Sequence, residues 1–330
     1  METKLYRVNI DYEAALGDPQ YQKDSEKYQK LCREWEWIFL WCGDADQTLA
    51  SCRQKKYSED YLAFVKKMRG FIPAVEYNAL KSENWWGKLQ NLKLEKTLNS
   101  KVFSSNLLKE IGVDIPGCGI AHSAKEAQQI LTRDSTSVFK KNLSFSGKGH
   151  LFIEDKLKID AELSRGEMVY NPWFERVSDF SILFRPMGER HHFIQKISNR
   201  GNYQGSTYLE NQQALADHLK SQLINDNMIN WYFEKIDLIY KKVQGLSGIE
   251  DPIFGIDSFL YRENETSKVF PMCEINYRRS LNGVLYSLSK TFNSSKSVSA
   301  QIYRKSEQKG PSGIIVSPKD NLFTYYLQIA

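Results

Sequence analysis

Two apolar segments in the last third of the chain carry acidic residues and constrain the fold most strongly. Residues 254–262 read FGIDSFLYR, and residues 270–280 read FPMCEINYRRS. Side chains of a strand alternate between its two faces, so Glu274 and Asn276 lie on the same face. The polar residues 262–267 between the segments predict a hairpin loop. Antiparallel pairing would then place Asp257 beside Glu274 and Asn276.

These three oxygen-bearing side chains suit a magnesium ion. Mg²⁺ is a hard cation that usually retains water and binds through a few carboxylates together with substrate phosphates. Two carboxylates this close also repel each other unless a cation or a proton separates them. We therefore predict a metal site at Asp257, Glu274 and Asn276. The alternative is an edge hairpin whose acidic residues face water.

Composition narrows the class of protein. The chain has 330 residues, 41% of them hydrophobic, which predicts two or three lobes with apolar cores. Its 45 basic and 40 acidic residues are spread along the sequence, so a nucleic-acid partner is not indicated.

Five cysteines without a CxxC pattern predict reduced thiols. No segment is typical of a signal peptide or a membrane helix. We expect a cytoplasmic protein with no membrane partner, and a homo-oligomer stays open.

Helical and extended patterns alternate along the chain, as in an α/β protein. Predicted helices cover residues 18–36, 59–68, 99–112 and 123–131, the third closed by Gly112 and the fourth opened by a capping box at Ser123. Predicted strands cover Trp37–Trp41, Ser137–Lys140, a segment that begins at Met168, and Phe180–Phe184, with a turn at Asn171–Pro172 between the last two.

A glycine-containing loop follows the strand that ends at Lys140. Residues 144–149 read SFSGKG and supply glycines, hydroxyls and a cation, which are the groups that a polyphosphate requires. The loop does not match the GxxxxGK[ST] motif, because Asn142 stands where the first glycine should be. It is either a flap over phosphates or an ordinary hairpin turn.

The order of these features resembles the ATP-grasp superfamily, which contains many carboxylate–amine ligases and biotin carboxylase. Lys101 stands at the head of a helix that ends in Gly112, as the first lysine of that family does. Lys140 ends a strand before a glycine-rich loop, as the second lysine does. A hinge strand with an acidic residue follows, and an acidic residue and an E-x-N motif come last. The resemblance covers residues from about 99 to 284.

The resemblance implies ATP and Mg²⁺ as cofactors and assigns roles to individual residues. Lys101 and Lys140 would neutralise the α- and β-phosphates, and Asp257, Glu274 and Asn276 would hold the metal. The loop residues that would cover the β- and γ-phosphates are Ser146, Gly147, Lys148 and Gly149. The hinge residues that would hold the adenosine are Trp173, Phe174 and either Glu175 or Asp179, of which one contacts the ribose.

Two arginines are candidates for the substrate end. Ligases of the D-alanine type carry a Pro-Gly turn after E-x-N, whereas Tyr277-Arg278-Arg279 stands here. This arrangement is similar to biotin carboxylase, in which an arginine two residues after the asparagine meets the carboxylate or the acyl phosphate. Arg278 is therefore predicted to hold a substrate carboxylate. Arg200, in a polar loop, is a second anion contact or part of an ordinary surface loop.

The resemblance thus implies an α/β ATP-grasp fold in which two α+β lobes enclose the nucleotide. We expect an N-terminal α/β domain over residues 1–98, a nucleotide-covering lobe over 99–169 and a magnesium- and substrate-binding lobe over 170–330. The implied reaction is ATP-dependent ligation of a small-molecule or peptide carboxylate to an amine through an acyl phosphate, which releases ADP and phosphate. An ATP-grasp kinase, or a non-catalytic nucleotide- or nucleic-acid-binding protein, stays open.

Overall fold

The computed structural model describes residues 4–17, 21–22, 25–77, 79, 81–144, 149–198, 201–248, 252–292, 297–304 and 313–329. The strands are β1 (Lys4–Arg7), β2 (Gln47–Ser51), β3 (Ala74–Tyr77), β4 (Glu83–Asn84), β5 (Gly119–Ala121), β6 (Ser137–Lys141), β7 (His150–Leu151), β8 (Met168–Pro172), β9 (Glu175–Phe184), β10 (Arg190–Ile197), β11 (Tyr203–Leu209), β12 (Phe254–Glu263), β13 (Thr266–Asn276), β14 (Val298–Arg304), β15 (Ile314–Ile315) and β16 (Phe323–Ile329). The helices are α1 (Tyr12–Gly17), α2 (Glu26–Trp35), α3 (Ile38–Cys42), α4 (Glu59–Arg69), α5 (Leu92–Leu98), α6 (Lys101–Glu110), α7 (Ala124–Arg133), α8 (Lys156–Leu163), α9 (Gln212–Ser221), α10 (Asp226–Ser247) and α11 (Leu281–Thr291).

Contacts within the chain divide it into two compact units. The first contains Met1–Asn91, Gln204–Glu210 and Arg278–Ala330, and the second contains Leu92–Tyr203 and Asn211–Tyr277. The chain therefore enters the first unit three times. The predicted three-part division, with boundaries at residues 98 and 169, stays a prediction.

The first unit contains two sheets. Its parallel sheet has the strand order β3-β2-β1-β4, which agrees with the α/β pattern expected of the N-terminal region. The chain passes from β1 to β2 and then β3 on one side, and returns to the other side of β1 at β4. The second sheet is antiparallel, with the order β11-β14-β16-β15.

The predicted strand Trp37–Trp41 is wrong, because the structure has helix α3 there. All five of these residues are buried, so the run is apolar on every side, and such a run does not distinguish a buried strand from a buried helix. Gly43 ends the helix against Phe39, where a Cβ atom would lie 2.7 Å from a ring carbon. The indole of Trp41 donates to the carbonyl oxygen of Val316 at 2.9 Å, which fixes the helix within the first unit.

The second unit also contains two antiparallel sheets. The smaller has the order β5-β8-β6-β7 and packs on α7 and α8 through a cluster of buried apolar side chains that includes Phe139 and Met168. The larger consists of β13, β12, β9 and β10 in that order. Helix α10 packs on the larger sheet, where Tyr232 meets Phe180 edge to face with ring centroids 5.4 Å apart.

Most of the predicted local signals are found in the structure. Gly112 follows α6 with φ +73°, a backbone angle that favours glycine, and the hydroxyl of Ser123 accepts from the amide of Glu126 at 3.2 Å. The predicted turn at Asn171–Pro172 is displaced, because both residues pair with β6 as the end of β8. The chain turns after them, at Trp173. Among the described residues, no helix has both the length and the apolarity needed to cross a membrane.

Candidate functional site

The hairpin of β12 and β13 brings the three predicted metal ligands together. Asp257 lies opposite Glu274, and Gly255 lies opposite Asn276. The Nδ2 atom of Asn276 donates to Oδ2 of Asp257 at 2.8 Å. The hairpin turn is tighter than predicted, since only Asn264 and Glu265 separate the strands.

A bulge in β13 sets this alignment. The strand pairs run from Asp257–Glu274 directly to Phe259–Phe270, so three residues of β13 lie opposite Ser258 alone. The hydroxyl of Ser258 donates to the carbonyl oxygen of Pro271 at 2.7 Å, which fixes the extra residues in place. Bulges of this kind re-aim side chains beside functional sites. Without the bulge, the register of the turn end of the hairpin would continue, and Asp257 would lie opposite Met272 instead of Glu274.

Lys101 joins the acidic hairpin from the start of α6. Its Nζ atom lies 2.8 Å from Oε2 of Glu274 and donates to the carbonyl oxygen of Ser144 at 2.8 Å. The side chain is 7% exposed, so this ion pair is largely shielded from water. The structure therefore brings together a predicted phosphate ligand and a predicted metal ligand.

Asn142 holds the start of α6, a role that the sequence did not indicate. Its Oδ1 atom accepts from the hydroxyl of Ser100 at 2.6 Å and from the amide of Val102 at 3.1 Å. Ser100 is the N-cap, and its hydroxyl accepts from the amide of Phe103 at 3.0 Å. The residue that breaks the GxxxxGK[ST] motif thus ties the loop after β6 to the helix that carries Lys101.

Lys140 lies on β6, half-buried, between His150 of β7 and Val169 of β8. Burial lowers the pKa of Lys140, and the charges of Arg176 and Lys101 lower it further, against the opposing effect of Cys273 and Glu274. Burial, and then the charges of Lys140 and Lys101, lower the pKa of His150 to about 4. Two lysines and an arginine therefore lie close enough together to affect these pKa values, and such cations can bind a polyphosphate.

A cleft of about 480 Å³, which includes open solvent at its mouth, extends from these two lysines within the second unit. Its lining is mostly apolar and includes both Lys101 and Lys140. The other lining residues are Ser105, Leu108, Lys109, Val113, Asp114, Ile115, Cys118, Val169, Tyr170, Asn171, Phe270, Met272 and Cys273.

The hinge residues fall into two groups. Trp173 packs edge to face on Phe152 at 5.1 Å between centroids, and Phe174 packs on Tyr261 at 4.4 Å, so both rings have partners within the second unit. Glu175 is 70% exposed and lies 3.5 Å from a guanidinium nitrogen of Arg262.

Asp179 differs from Glu175, since it is 9% exposed and faces the cationic groups. It pairs with Arg176, whose guanidinium lies over the ring of Phe259 at 4.1 Å. Burial raises the pKa of Asp179, while Arg176 and Lys140 act in the opposite direction. The sequence did not identify Arg176 as part of this cluster.

Gln195 is the second residue that the sequence did not identify. Its Nε2 atom donates to Oδ1 of Asp257 at 3.1 Å, so Asp257 is held by Gln195 on one oxygen and by Asn276 on the other. The sequence pattern could place Gln195 on a strand, but it could not show that this strand lies near the strand of Asp257.

Several predicted residues lie elsewhere or are not described. Ser146, Gly147, Lys148 and Arg200 lie outside the described residues. Gly149 is buried and its carbonyl oxygen accepts from the amide of Lys141 at 3.0 Å; a Cβ atom there would lie 2.2 Å from the hydroxyl of Ser144, so no side chain fits.

Arg278 belongs to the first unit. Its guanidinium pairs with Glu13 of α1, and the two side chains are 13% and 10% exposed. The guanidinium also lies 5.9 Å from the ring centroid of Trp86. Within the first unit, Arg278 is therefore already bound to a carboxylate.

Asp257, Glu274 and Asn276 supply only some of the oxygen ligands that a hard cation needs. Among the described residues, no group of three His, Cys, Asp or Glu side chains could hold a metal ion. Two carboxylates and one amide are present, and the remaining oxygens would come from phosphate and water, as is usual for Mg²⁺.

No family model matches the sequence, and no curated protein matches it in sequence. Among solved structures, N5-carboxyaminoimidazole synthetase from Staphylococcus aureus is similar over 100% of this chain and 94% of that chain, with a TM-score of 0.53 and 10% identity. Biotin carboxylase from Campylobacter jejuni is similar over 86% of this chain and 70% of that chain, with a TM-score of 0.49 and 8% identity. Phosphoribosylamine–glycine ligase from Thermotoga maritima is similar over 99% of this chain and 92% of that chain, with a TM-score of 0.47 and 13% identity.

The similarity to the synthetase, which is an ATP-grasp enzyme, spans the whole chain. The mixed α/β architecture of the chain agrees with that of the synthetase. The chain therefore has the ATP-grasp fold, as the order of its motifs predicted.

Proposed function

We propose that the protein is an ATP-dependent ligase that joins a carboxylate to an amine through an acyl phosphate. The observation that carries the proposal is the Lys101–Glu274 ion pair beside Asp257 and Asn276 on an ATP-grasp fold. It places a cation suited to phosphate next to acidic groups suited to a metal. The similar solved structure from Staphylococcus aureus is a synthetase, which supports the reaction class.

Lys101 and Lys140 would bind the α- and β-phosphates of ATP. Both line the cleft, and its apolar wall, formed by side chains such as Phe270 and Met272, suits an adenine ring. Asp179 is a better candidate than Glu175 for the ribose hydroxyls, because it lies near Lys140 while Glu175 faces solvent beside Arg262. Trp173 and Phe174 would border the nucleotide at the hinge. Ser146, Gly147, Lys148 and Gly149 would cover the β- and γ-phosphates.

Asp257, Glu274 and Asn276 would hold Mg²⁺. When bound, the ion would offset negative charge on the phosphates as the γ-phosphoryl group moves. The three residues would fix its position, and Lys101 would turn from Glu274 to a phosphate. This exchange keeps every charge paired, because the cation replaces the ammonium on Glu274 while the phosphate replaces the carboxylate on Lys101.

Arg278 would bind the substrate carboxylate. Its contact with Glu13 supports this role, because the guanidinium already pairs with a carboxylate in nearly buried surroundings. Arg278 lies two residues after Asn276, so the two Cα atoms are at most about 7 Å apart. Arg200 is a candidate for a second contact with the anion.

The first unit also supports a substrate site near Arg278. The next residue, Arg279, donates from its backbone amide to the carbonyl oxygen of Trp86 at 3.0 Å, directly after β4. Glu13 follows β1, the neighbour of β4. Open parallel sheets bind ligands at the carboxyl ends of strands where the strand order reverses, and in the order β3-β2-β1-β4 this reversal occurs between β1 and β4.

The chemical steps would be a phosphoryl transfer followed by an acyl transfer. An oxygen of the substrate carboxylate attacks the γ-phosphorus, the bond to the ADP oxygen breaks, and an acyl phosphate forms. The amine nitrogen then attacks the carbonyl carbon and loses a proton as phosphate leaves. Shielding of the acyl phosphate from water would prevent its hydrolysis.

Calorimetric titration with a non-hydrolysable ATP analogue, with and without Mg²⁺, tests the nucleotide site. Wild-type protein should bind the analogue more tightly with Mg²⁺, and Glu274→Gln should lose that difference. A panel of acids and amines should then yield ADP only when both are present. ADP release with a stable phosphorylated acid and no need for an amine would indicate a kinase instead. Absence of nucleotide binding would overturn the proposal.

A further inference from the structure

The carboxylate of Asp257 is held on both sides by neutral amides. Nε2 of Gln195 donates to Oδ1 at 3.1 Å, and Nδ2 of Asn276 donates to Oδ2 at 2.8 Å. Asn276 is a predicted metal ligand, whereas Gln195 is not. Metal binding would therefore affect the contact from Asn276 differently from the contact from Gln195.

The contact from Gln195 crosses a strand. Gln195 on β10 lies opposite Asp179 on β9, and Ser181 on β9 lies opposite Asp257 on β12. Gln195 and Asp257 are thus two strands apart, a distance of about 9–10 Å between backbones. Ser181 is small and 1% exposed, so its side chain leaves room for the amide to pass over β9.

Asn276 cannot hold Asp257 in the same way once it binds a metal. A metal takes the amide oxygen of asparagine, since the amide nitrogen has no free lone pair. The Nδ2 atom that now donates to Oδ2 of Asp257 would have to turn away so that the oxygen faces the ion. Glu274 is not a substitute, because its ionised carboxylate has no proton to donate to Asp257. Of these two amide contacts, the one from Gln195 then remains on Asp257.

We propose that Gln195 is a positioning residue of the magnesium site. Its amide binds Oδ1 of Asp257 and thereby keeps Oδ2 directed toward Asn276 and the ion. This inference rests on the proposed function, since it requires that Asp257 bind the metal. Partners of metal-binding carboxylates often change metal affinity by about 10- to 100-fold when they are removed.

The test replaces Gln195 by methionine, which has a similar length but no donor. Mn²⁺ binding to the complex with a non-hydrolysable ATP analogue is measured by electron paramagnetic resonance. We expect the dissociation constant of Mn²⁺ to rise about tenfold. The affinity of the analogue in EDTA and the melting temperature should stay at the wild-type values, which separates a positioning role from a structural one.

Two further variants make the test specific. Gln213→Met is the matched control, because Gln213 also donates to a carboxylate, Asp217 at 2.7 Å, but on the exposed surface of α9. It should leave Mn²⁺ binding unchanged. Gln195→Asn keeps the donor but is one methylene shorter, so it should fail to cross β9 and behave like Gln195→Met.

The outcomes separate the inference from the proposed function. Wild-type protein that binds the analogue but no Mn²⁺ would overturn the proposed metal site and this inference together. Wild-type binding of Mn²⁺ with unchanged affinity in Gln195→Met would overturn the inference alone. Equal loss of Mn²⁺ and of metal-free analogue binding would also overturn it, because it would mean that the substitution disturbs the sheet.

Discussion

Lys101 and Glu274 form an ion pair in the second unit, with Nζ 2.8 Å from Oε2. Lys101 begins α6 and Glu274 lies near the end of β13, so the pair joins the helix to the strand. A phosphate on Lys101 and a metal on Glu274 would each replace one half of the pair. We therefore expect nucleotide and metal to bind cooperatively, each increasing the affinity for the other by the same factor.

Glu274→Gln should remove this coupling without unfolding the protein. The amide has nearly the same shape, but it carries no charge for a metal or for Lys101. Lys101 keeps its contact with the carbonyl oxygen of Ser144, so we expect a loss of only about 1–2 kcal/mol in the free energy of unfolding. Urea denaturation and analogue titration with and without Mg²⁺ check this. Persistence of the Mg²⁺ effect in the variant would remove Glu274 from the metal site.

Lys140→Met should weaken binding of the ATP analogue by about 10- to 100-fold, the usual scale for a charge-assisted contact of about 1.5–3 kcal/mol. Stability should not fall, because burial already disfavours the charge and lowers the pKa of this lysine. Lys141→Met is the matched control. Lys141 is the next residue on β6 and pairs with Glu162 at 2.5 Å, so its side chain serves another contact. Equal affinities for the two variants would contradict the assignment of Lys140.

Asp179→Asn should weaken nucleotide binding, whereas Glu175→Gln should leave it unchanged. Asp179 is buried beside Arg176 and near Lys140, and Glu175 is mostly exposed. Comparison of the ATP analogue with its 2′-deoxy form, measured by calorimetry on each variant, identifies the ribose contact. Removal of the 2′-hydroxyl should reduce the affinity less in Asp179→Asn than in the wild type, and as much as in the wild type in Glu175→Gln. The opposite pattern would assign the ribose to Glu175.

Glu13→Gln should destabilise the first unit by about 2–3 kcal/mol, because it leaves the guanidinium of Arg278 nearly buried without its carboxylate. Arg278→Met should also be destabilising, because it leaves the carboxylate of Glu13 nearly buried without its guanidinium. The double variant should lose less stability than the sum of the two, since no unpaired charge remains. Urea denaturation of the wild type, the two single variants and the double variant measures the coupling free energy between Glu13 and Arg278. Additive losses would show that the pair contributes nothing beyond its separate contacts.

His192→Phe should reduce the loss of stability in acid. His192 is 2% exposed on β10, and among the described residues neither ring nitrogen has a hydrogen-bond partner. Burial, and then the charges of His191 and Arg190, lower its pKa from 6.5 to about 4. The native state therefore keeps the imidazole neutral while the unfolded chain protonates it. Its contribution to stability is present above pH 6.5 and is lost as the pH falls toward 4.

The variant should consequently show a shallower decline of unfolding free energy between these pH values, and a gain of about 1 kcal/mol or less at pH 7. Urea denaturation across this range measures both. His122→Gln is the control, because His122 is 60% exposed and its ring contacts Glu167 at the surface. A decline as steep as in the wild type would show that His192 does not titrate in this way.

Local periodicity was enough to identify much of the second unit from the sequence. The alternation around Glu274 and Asn276 placed both residues on one strand face, and the capping signal at Ser123 placed the start of α7. These signals depend on neighbours within a few residues, which a sequence displays directly. The order of the motifs then indicated the ATP-grasp fold.

Contacts between distant parts of the chain were decided only by the tertiary structure. The run Trp37–Trp41 is buried on all sides, so its sequence shows no period, and only the structure reveals that it is helical. Gln195 reaches Asp257 only because β9 lies between their strands, and Glu13 reaches Arg278 across most of the sequence. The sequence by itself determined the elements and their polar residues, and the folded chain determined which of those residues meet, because strand order and packing depend on the whole chain rather than on any local segment.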